Sequence, residues 1–194
     1  PSAASRSTSG SKTKSCASIA VLGTMSDTGK SIIAAALCRI FTNGGTKCAP
    51  FKSQHTGTGT SPALLPDLSR RDNVYKCLSI LVKKQGYENG KNGQTSTLLY
   101  SPTKEQDYGQ IGTAQSLQAE ACKILPRVEM NPIFFKSRGT NEKGEAMCDM
   151  IVMGKQVVRE SYGALSKMVP TMKKMAVGSH RSLAAVTGAE VIVV

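Results

Sequence analysis

One run of the sequence carries residue types that can do chemistry together: Gly23-Thr24-Met25-Ser26-Asp27-Thr28-Gly29-Lys30-Ser31. Gly29 can take backbone angles that a side chain would oppose, so successive N–H groups can turn toward one centre. Those donors and the positive end of a following helix form a cradle for phosphate oxygens. Lys30 adds a full charge within reach of β- and γ-phosphates, and the Ser31 hydroxyl suits Mg²⁺. Gly23, Thr24, Ser26, Asp27 and Thr28 make up the rest of the wall. Five residues separate Gly23 from Gly29, where the usual phosphate loop has four. A glycine-rich turn that binds nothing would show the same glycines. The Lys30-Ser31 pair and the elements on either side favour the phosphate reading.

Those elements must be a strand and a helix. The apolar, partly β-branched stretch 17–22 reads as a buried strand. Residues 32–41 read as a helix, with Ile33, Leu37, Ile40 and Phe41 predicted on its inward face. Asn43-Gly44-Gly45 stops that helix, and 46–52 reads as a second strand. Strand–helix–strand of this length implies a parallel pair with a right-handed crossover. Lys52 and Gln54 then fall at the carboxyl end of the second strand, where open α/β sheets bind ligands. Position alone leaves Lys52 open between a ligand-facing group and a surface lysine.

The chain has 194 residues, 40% hydrophobic and 20% charged, which suits one globular domain with a sizeable core. No apolar run is long enough to span a bilayer. Six cysteines are dispersed without a Cys-x-x-Cys pair, a pattern that suits reduced thiols better than a disulfide framework or a zinc site. A net charge of +12 raises the question of nucleic acid. The basic residues are scattered and no recognition motif accompanies them, so no dedicated nucleic-acid role is expected. Residues 1–15 are rich in Ser and Thr and carry Arg6, Lys12 and Lys14 without an acid. They read as a flexible leader, compatible with an organelle transit peptide on an otherwise cytoplasmic protein.

The remainder, 16–194, reads as one domain with an insertion at about 56–107. Within the insertion, 56–62 looks like loop and 73–84 like an amphipathic helix. Residues 111–123 return to helical spacing, with Ile111, Ala114, Leu117 and Ala121 predicted inward and Gln115, Gln118 and Glu120 elsewhere. Residues 130–136 read as a strand, 149–158 as a hairpin, 162–175 and 181–186 as helices, and 188–194 as a buried strand.

With these blocks in order, the sequence resembles the ATP-binding N-terminal domain of the cobyric acid synthase family. The run from Ile19 to Ser31 looks like that family's opening. Ala49-Pro50-Phe51-Lys52-Ser53-Gln54, the block 111–121 and the block 127–136 resemble its next three signatures. The wide glycine spacing recurs in its relatives, dethiobiotin synthetase and cobyrinic acid a,c-diamide synthase. The resemblance implies an α/β, P-loop NTPase-like parallel sheet with flanking helices. It further implies ATP and Mg²⁺ as cofactors and a corrinoid substrate resembling cobyrinic acid a,c-diamide. A side-chain carboxylate would be phosphorylated and then amidated. Lys52 matches a lysine close to the transferred phosphoryl group, while Gln54 and Glu120 are weaker candidates for the substrate side.

The chain departs from the family at Gln110 and Thr113, where an acid and an arginine are usual, and at His55, where asparagine is usual. In the family the strand matching 191–194 continues into a glutamate-bearing loop, and a glutamine-hydrolysing domain follows. The sequence given holds neither, so the domain is expected to be truncated and inactive alone. A dethiobiotin-synthetase-like ligase, a ParA/MinD-like switch ATPase and an inactive fragment of the synthase are the competing readings.

Overall fold

In the computed structural model, residues 15–25, 28–66 and 108–194 are described, and they form nine strands. Three of them make the sheet that carries the phosphate loop: β1 (Ala17–Ile19), β2 (Cys48–Pro50) and β9 (Val191–Val193). β9, last in sequence, lies in the middle and pairs in parallel with both neighbours. Its Ile192 and Val193 side chains are buried, which explains an unbroken apolar run in place of alternation.

Helix α1 (Lys30–Asn43) crosses from β1 to β2 and ends at Gly44, whose N–H donates to the Ile40 carbonyl. Its inward face differs from the predicted one. Ala34 and Cys38 are buried, whereas Ile33 and Ile40 are 52% and 63% exposed. α1 packs against β2 and a second helix at once, and small side chains permit that approach. Periodicity located the helix and misjudged which stripe faces inward.

A second sheet has the order β3-β6-β7-β8, formed by β3 (Gln54–Gly57), β6 (Ile133–Thr140), β7 (Ala146–Val152) and β8 (Lys155–Ser161). β3 and β6 run parallel, and the other pairs are antiparallel. The predicted hairpin is β7–β8, turned by Met153 and Gly154 at φ 47° and 81°. Asp149 on β7 is fully buried and accepts from Arg138 Nε at 2.5 Å and Arg159 Nε at 2.6 Å, one from each flanking strand. Burial alone would raise its carboxyl pKa, but the two guanidinium groups outweigh that and hold it below the ordinary value.

β4 (Thr60–Leu64) pairs antiparallel with β5 (Tyr108–Gly112). The loop reading of 56–62 is therefore corrected, since β3 and β4 occupy much of it. Short Thr, Gly and Ser segments with a proline hide strand character, and Pro62 is tolerated because β5 is the one described strand that pairs with β4 at that position. The helix read over 73–84 lies outside the described residues.

A short helix α3 (Tyr162–Leu165) and a 3₁₀ turn (Ser166–Met168) lead into α4 (Val169–Thr187). The two separate helices expected here are one through 176–180. Polar residues interrupt the apolar pattern there, but tertiary contacts hold them. The Ser179 hydroxyl reaches Met153 Sδ at 3.3 Å, and His180 meets both Phe51 and Ser18. Met168, Met172 and Met175 then close the core over the second sheet.

The β7–β8 turn also docks β5. Gln110 N donates to the Gly154 carbonyl at 2.9 Å. A Cβ at Gly154 would lie 2.5 Å from Val128 Cγ1 and 2.7 Å from Gly109 Cα. Gly154→Ala combines left-handed strain with a clash against main chain, and is expected to lose at least about 3 kcal/mol of stability. Urea unfolding checks this; a loss below about 1 kcal/mol would mean the contact relaxes freely.

Candidate functional site

The site lies beyond the carboxyl ends of β1, β2 and β9. Gly29 precedes α1 at φ 80°, the left-handed conformation its position required, and the Ile32 and Ile33 N–H groups both donate to its carbonyl. Earlier amides of the turn have no intrahelical acceptor, as at any helix start. Lys30 folds back across the loop. Its Nζ donates to the Met25 carbonyl and to Thr28 Oγ1, the latter at 3.0 Å. Gly23 makes this possible, because a Cβ there would lie 2.9 Å from Lys30 Cδ. Thr24 and Thr28 are exposed, and Ser26 and Asp27 fall outside the described residues.

A cavity of about 250 Å³ opens beside the loop. Lys30, Ser31, Lys52 and Gln54 all line it, so the structure gathers four of the sequence-derived candidates. Among the described residues, no Asp or Glu side chain lines it. Lys52 is half-buried, and burial first, then the charge of Lys30, lowers its pKa. Two ammonium groups repel each other across a hollow whose described lining holds no Asp or Glu side chain, an arrangement that an anion relieves. Ser31 is exposed on the first turn of α1. A lone hydroxyl fits Mg²⁺ that takes its other ligands from phosphate and water. Glu120 does not line the cavity; it is exposed, and its carbonyl accepts from Arg39 Nη2.

The opposite wall comes from α2 (Thr113–Ala121). Ile111, expected in this helix, instead belongs to β5, and Leu117, expected inward, is 60% exposed. The glutamines face in: Gln115 and Gln118 are buried and line the cavity. Gln118 Nε2 donates to the Ser31 carbonyl at 3.1 Å, bracing the first turn of α1. Their i, i+3 spacing places them on one side, but a search for apolar stripes discards them.

Asn131 is the other residue that sequence reasoning did not single out. It is buried and makes three hydrogen bonds. Its Oδ1 accepts from Gly112 N at 3.1 Å, and its Nδ2 donates to the carbonyls of Lys52 at 3.0 Å and Ile133 at 3.1 Å. One side chain thereby sets the start of α2, the segment bearing Lys52 and the start of β6.

His55 stacks on Phe134, with ring centroids 5.3 Å apart. Burial, then the charge of Lys52, pushes its pKa down to about 4. The unfolded chain therefore takes a proton that the folded imidazole refuses. The stability so conferred is complete above about pH 6.5 and is lost as pH falls toward about 4. His55→Phe keeps a ring and cannot titrate, so its stability should fall less steeply across that window. Parallel curves for the two proteins in denaturant titrations would contradict this.

Parallel strands, a left-handed glycine and a helix opened by Lys-Ser at the carboxyl edge of the sheet define a P-loop nucleotide-binding fold. The family model for the CobQ/CobB/MinD/ParA nucleotide binding domain, CbiA, matches residues 19–186, and the chain belongs to that family. It is similar to the cobyric acid synthases of Sorangium cellulosum (31% identical over 139 residues) and Dehalococcoides mccartyi (35% over 137). Those matches cover 72% and 71% of this chain and 18% of each relative. The adenosylcobalamin biosynthesis bifunctional protein CobDQ of Leptospira interrogans is 32% identical over 171 residues, 88% of this chain and 14% of that protein. The chain thus spans less than a fifth of the length of these relatives. No solved structure matches it. Among the described residues, no helix is long and apolar enough to cross a membrane.

Proposed function

We propose that the chain binds ATP with Mg²⁺ in the cavity between the phosphate loop and α2, as the nucleotide-binding part of an amidoligase resembling cobyric acid synthase. The observation that carries this reading is the pair Lys30 and Lys52, from different segments, lining one hollow with no Asp or Glu side chain among its described lining residues. Lys30 serves the β- and γ-phosphates, and the amides around Gly29 take their oxygens. Ser31 is the protein ligand for Mg²⁺. Lys52 neutralises charge on the phosphoryl group in transfer. Gln54, with Gln115, lies toward the substrate side.

The reaction proposed has two steps. A corrinoid side-chain carboxylate attacks the γ-phosphate and ADP leaves, giving an acyl phosphate. Ammonia then displaces phosphate and leaves an amide. A carboxylate is a poor electrophile until one oxygen becomes a good leaving group, which is the reason for consuming ATP. A glutamine-hydrolysing domain would supply the ammonia.

Calorimetric titration with ATP and Mg²⁺ tests the nucleotide site, and absence of saturable binding would overturn it. Cobyrinic acid a,c-diamide with ATP and hydroxylamine tests the chemistry, because an acyl phosphate is trapped as a hydroxamate. Nucleotide binding without hydroxamate would leave the ATP site standing and remove the ligase step for this chain. The basic net charge favours one other reading, a ParA/MinD-like switch ATPase. DNA binding that strengthens with ATP and weakens steeply with salt would select it.

A further inference from the structure

Three thiols that the sequence holds apart meet beneath the phosphate-loop helix. Cys38 lies on α1, Cys48 opens β2, and Cys122 follows the last residue of α2. Their Sγ atoms all lie within 4.8 Å of one another, and all three residues are buried. Ala34, Ala121 and Val193 complete the wall around them. Isolated buried cysteines ordinarily act as small apolar fillers. Here three sulfurs from separate elements enclose one small space. Thiolates each about 2.3 Å from a shared ion stand roughly 4 Å apart, close to the spacing present.

We propose that Cys38, Cys48 and Cys122 form a three-thiolate site for one soft d¹⁰ metal ion of the zinc(II) or copper(I) type. Sulfur ligands select such ions over Mg²⁺ or Ca²⁺. No fourth His, Cys, Asp or Glu joins the group among the described residues. Copper(I) is satisfied by three sulfurs in a plane, whereas zinc would add a water. Binding replaces each S–H bond with a metal–sulfur bond and releases the proton, without oxidation or reduction.

The dispersed cysteines gave no sign of this, because the ligands come from three elements with no shared spacing. The ion would tie together the three elements that build the cavity: α1 with Lys30, the strand leading to Lys52, and α2 with Gln118. This assignment is independent of the nucleotide reading, since none of the three cysteines lines the cavity.

The test uses the full chain, reduced and kept under nitrogen, titrated with Zn²⁺ or with Cu⁺ against a chromophoric chelator and followed by native mass spectrometry. One ion per chain is expected, with affinity lowered at least a hundredfold in both Cys48→Ala and Cys122→Ser. X-ray absorption at the metal edge should show three sulfur neighbours. Binding of either ion in this way supports the site and identifies its occupant. Failure of both ions to bind at one equivalent overturns it, as does undiminished affinity in the variants. If neither variant folds, the absorption spectrum of the unaltered chain decides, and a shell without three sulfurs overturns the assignment.

Discussion

Lys30→Ala is expected to lower ATP affinity by on the order of a hundredfold while leaving stability within about 0.5 kcal/mol of the parent. The affinity term follows from losing charge-assisted hydrogen bonds to phosphate, each contributing roughly 1.5–3 kcal/mol. The stability term follows from where Lys30 now rests. Its partners, the Met25 carbonyl and Thr28 Oγ1, are exposed, so water replaces the ammonium at little cost. The ammonium must also leave those partners to meet a nucleotide, so the loop is expected to rearrange on binding. Calorimetry with ATP, paired with thermal melting of the free protein, separates the two effects. Retained affinity would remove Lys30 from its proposed role, and a large drop in melting temperature would show that it serves the fold instead. Lys30→Arg should not restore full binding, because a planar guanidinium does not match a compact ammonium in a narrow loop.

Asn131→Ala should be the most damaging single change near the site, costing about 3–5 kcal/mol. It strands the Gly112 N–H and the carbonyls of Lys52 and Ile133, and each buried polar group left unpaired costs roughly 1–3 kcal/mol. Unlike Lys30→Ala, this change should reduce stability and nucleotide affinity together, because the segment bearing Lys52 and the start of α2 both lose their anchor. Asn131→Asp should rescue little: it keeps an acceptor for Gly112 but turns an oxygen toward two carbonyls. Urea unfolding gives the stability and calorimetry the affinity. A loss under about 1 kcal/mol would mean that another group takes over these hydrogen bonds.

Much of the site was legible because its chemistry is local. Gly29, Lys30 and Ser31 are consecutive, so the roles proposed for them rest on residue type and order, and the left-handed glycine was foreseeable from the turn alone. Lys52 and Gln54 could be placed because a parallel crossover fixes which end of the second strand meets the loop. The terminal strand β9 and the β7–β8 hairpin likewise follow the apolar runs and the Gly154-Lys155 turn, whereas the place of β9 in the middle of its sheet came only from the structure.

What stayed hidden depends on contacts between distant segments. The buried face of α1 is its small-residue face because neighbours approach closely, and no hydrophobic count anticipates that. Gln118 faces inward because the Ser31 carbonyl of α1 offers it an acceptor, and Gln115 lies one turn away on the same side. β3 and β4 are strands because β6 and β5 supply the ladder partners that short polar segments cannot provide for themselves.

The sequence by itself determined that this protein has a glycine-bounded turn ending in Lys-Ser between a strand and a helix, and to which kind of protein it is akin. Those features reside in consecutive residues, whose backbone preferences act at short range. The tertiary structure alone decided that two lysines share one hollow, that Asn131 fixes its walls, and that three cysteines converge beneath it. Each of those depends on side chains brought together by burial of the whole core, at separations that sequence order does not encode.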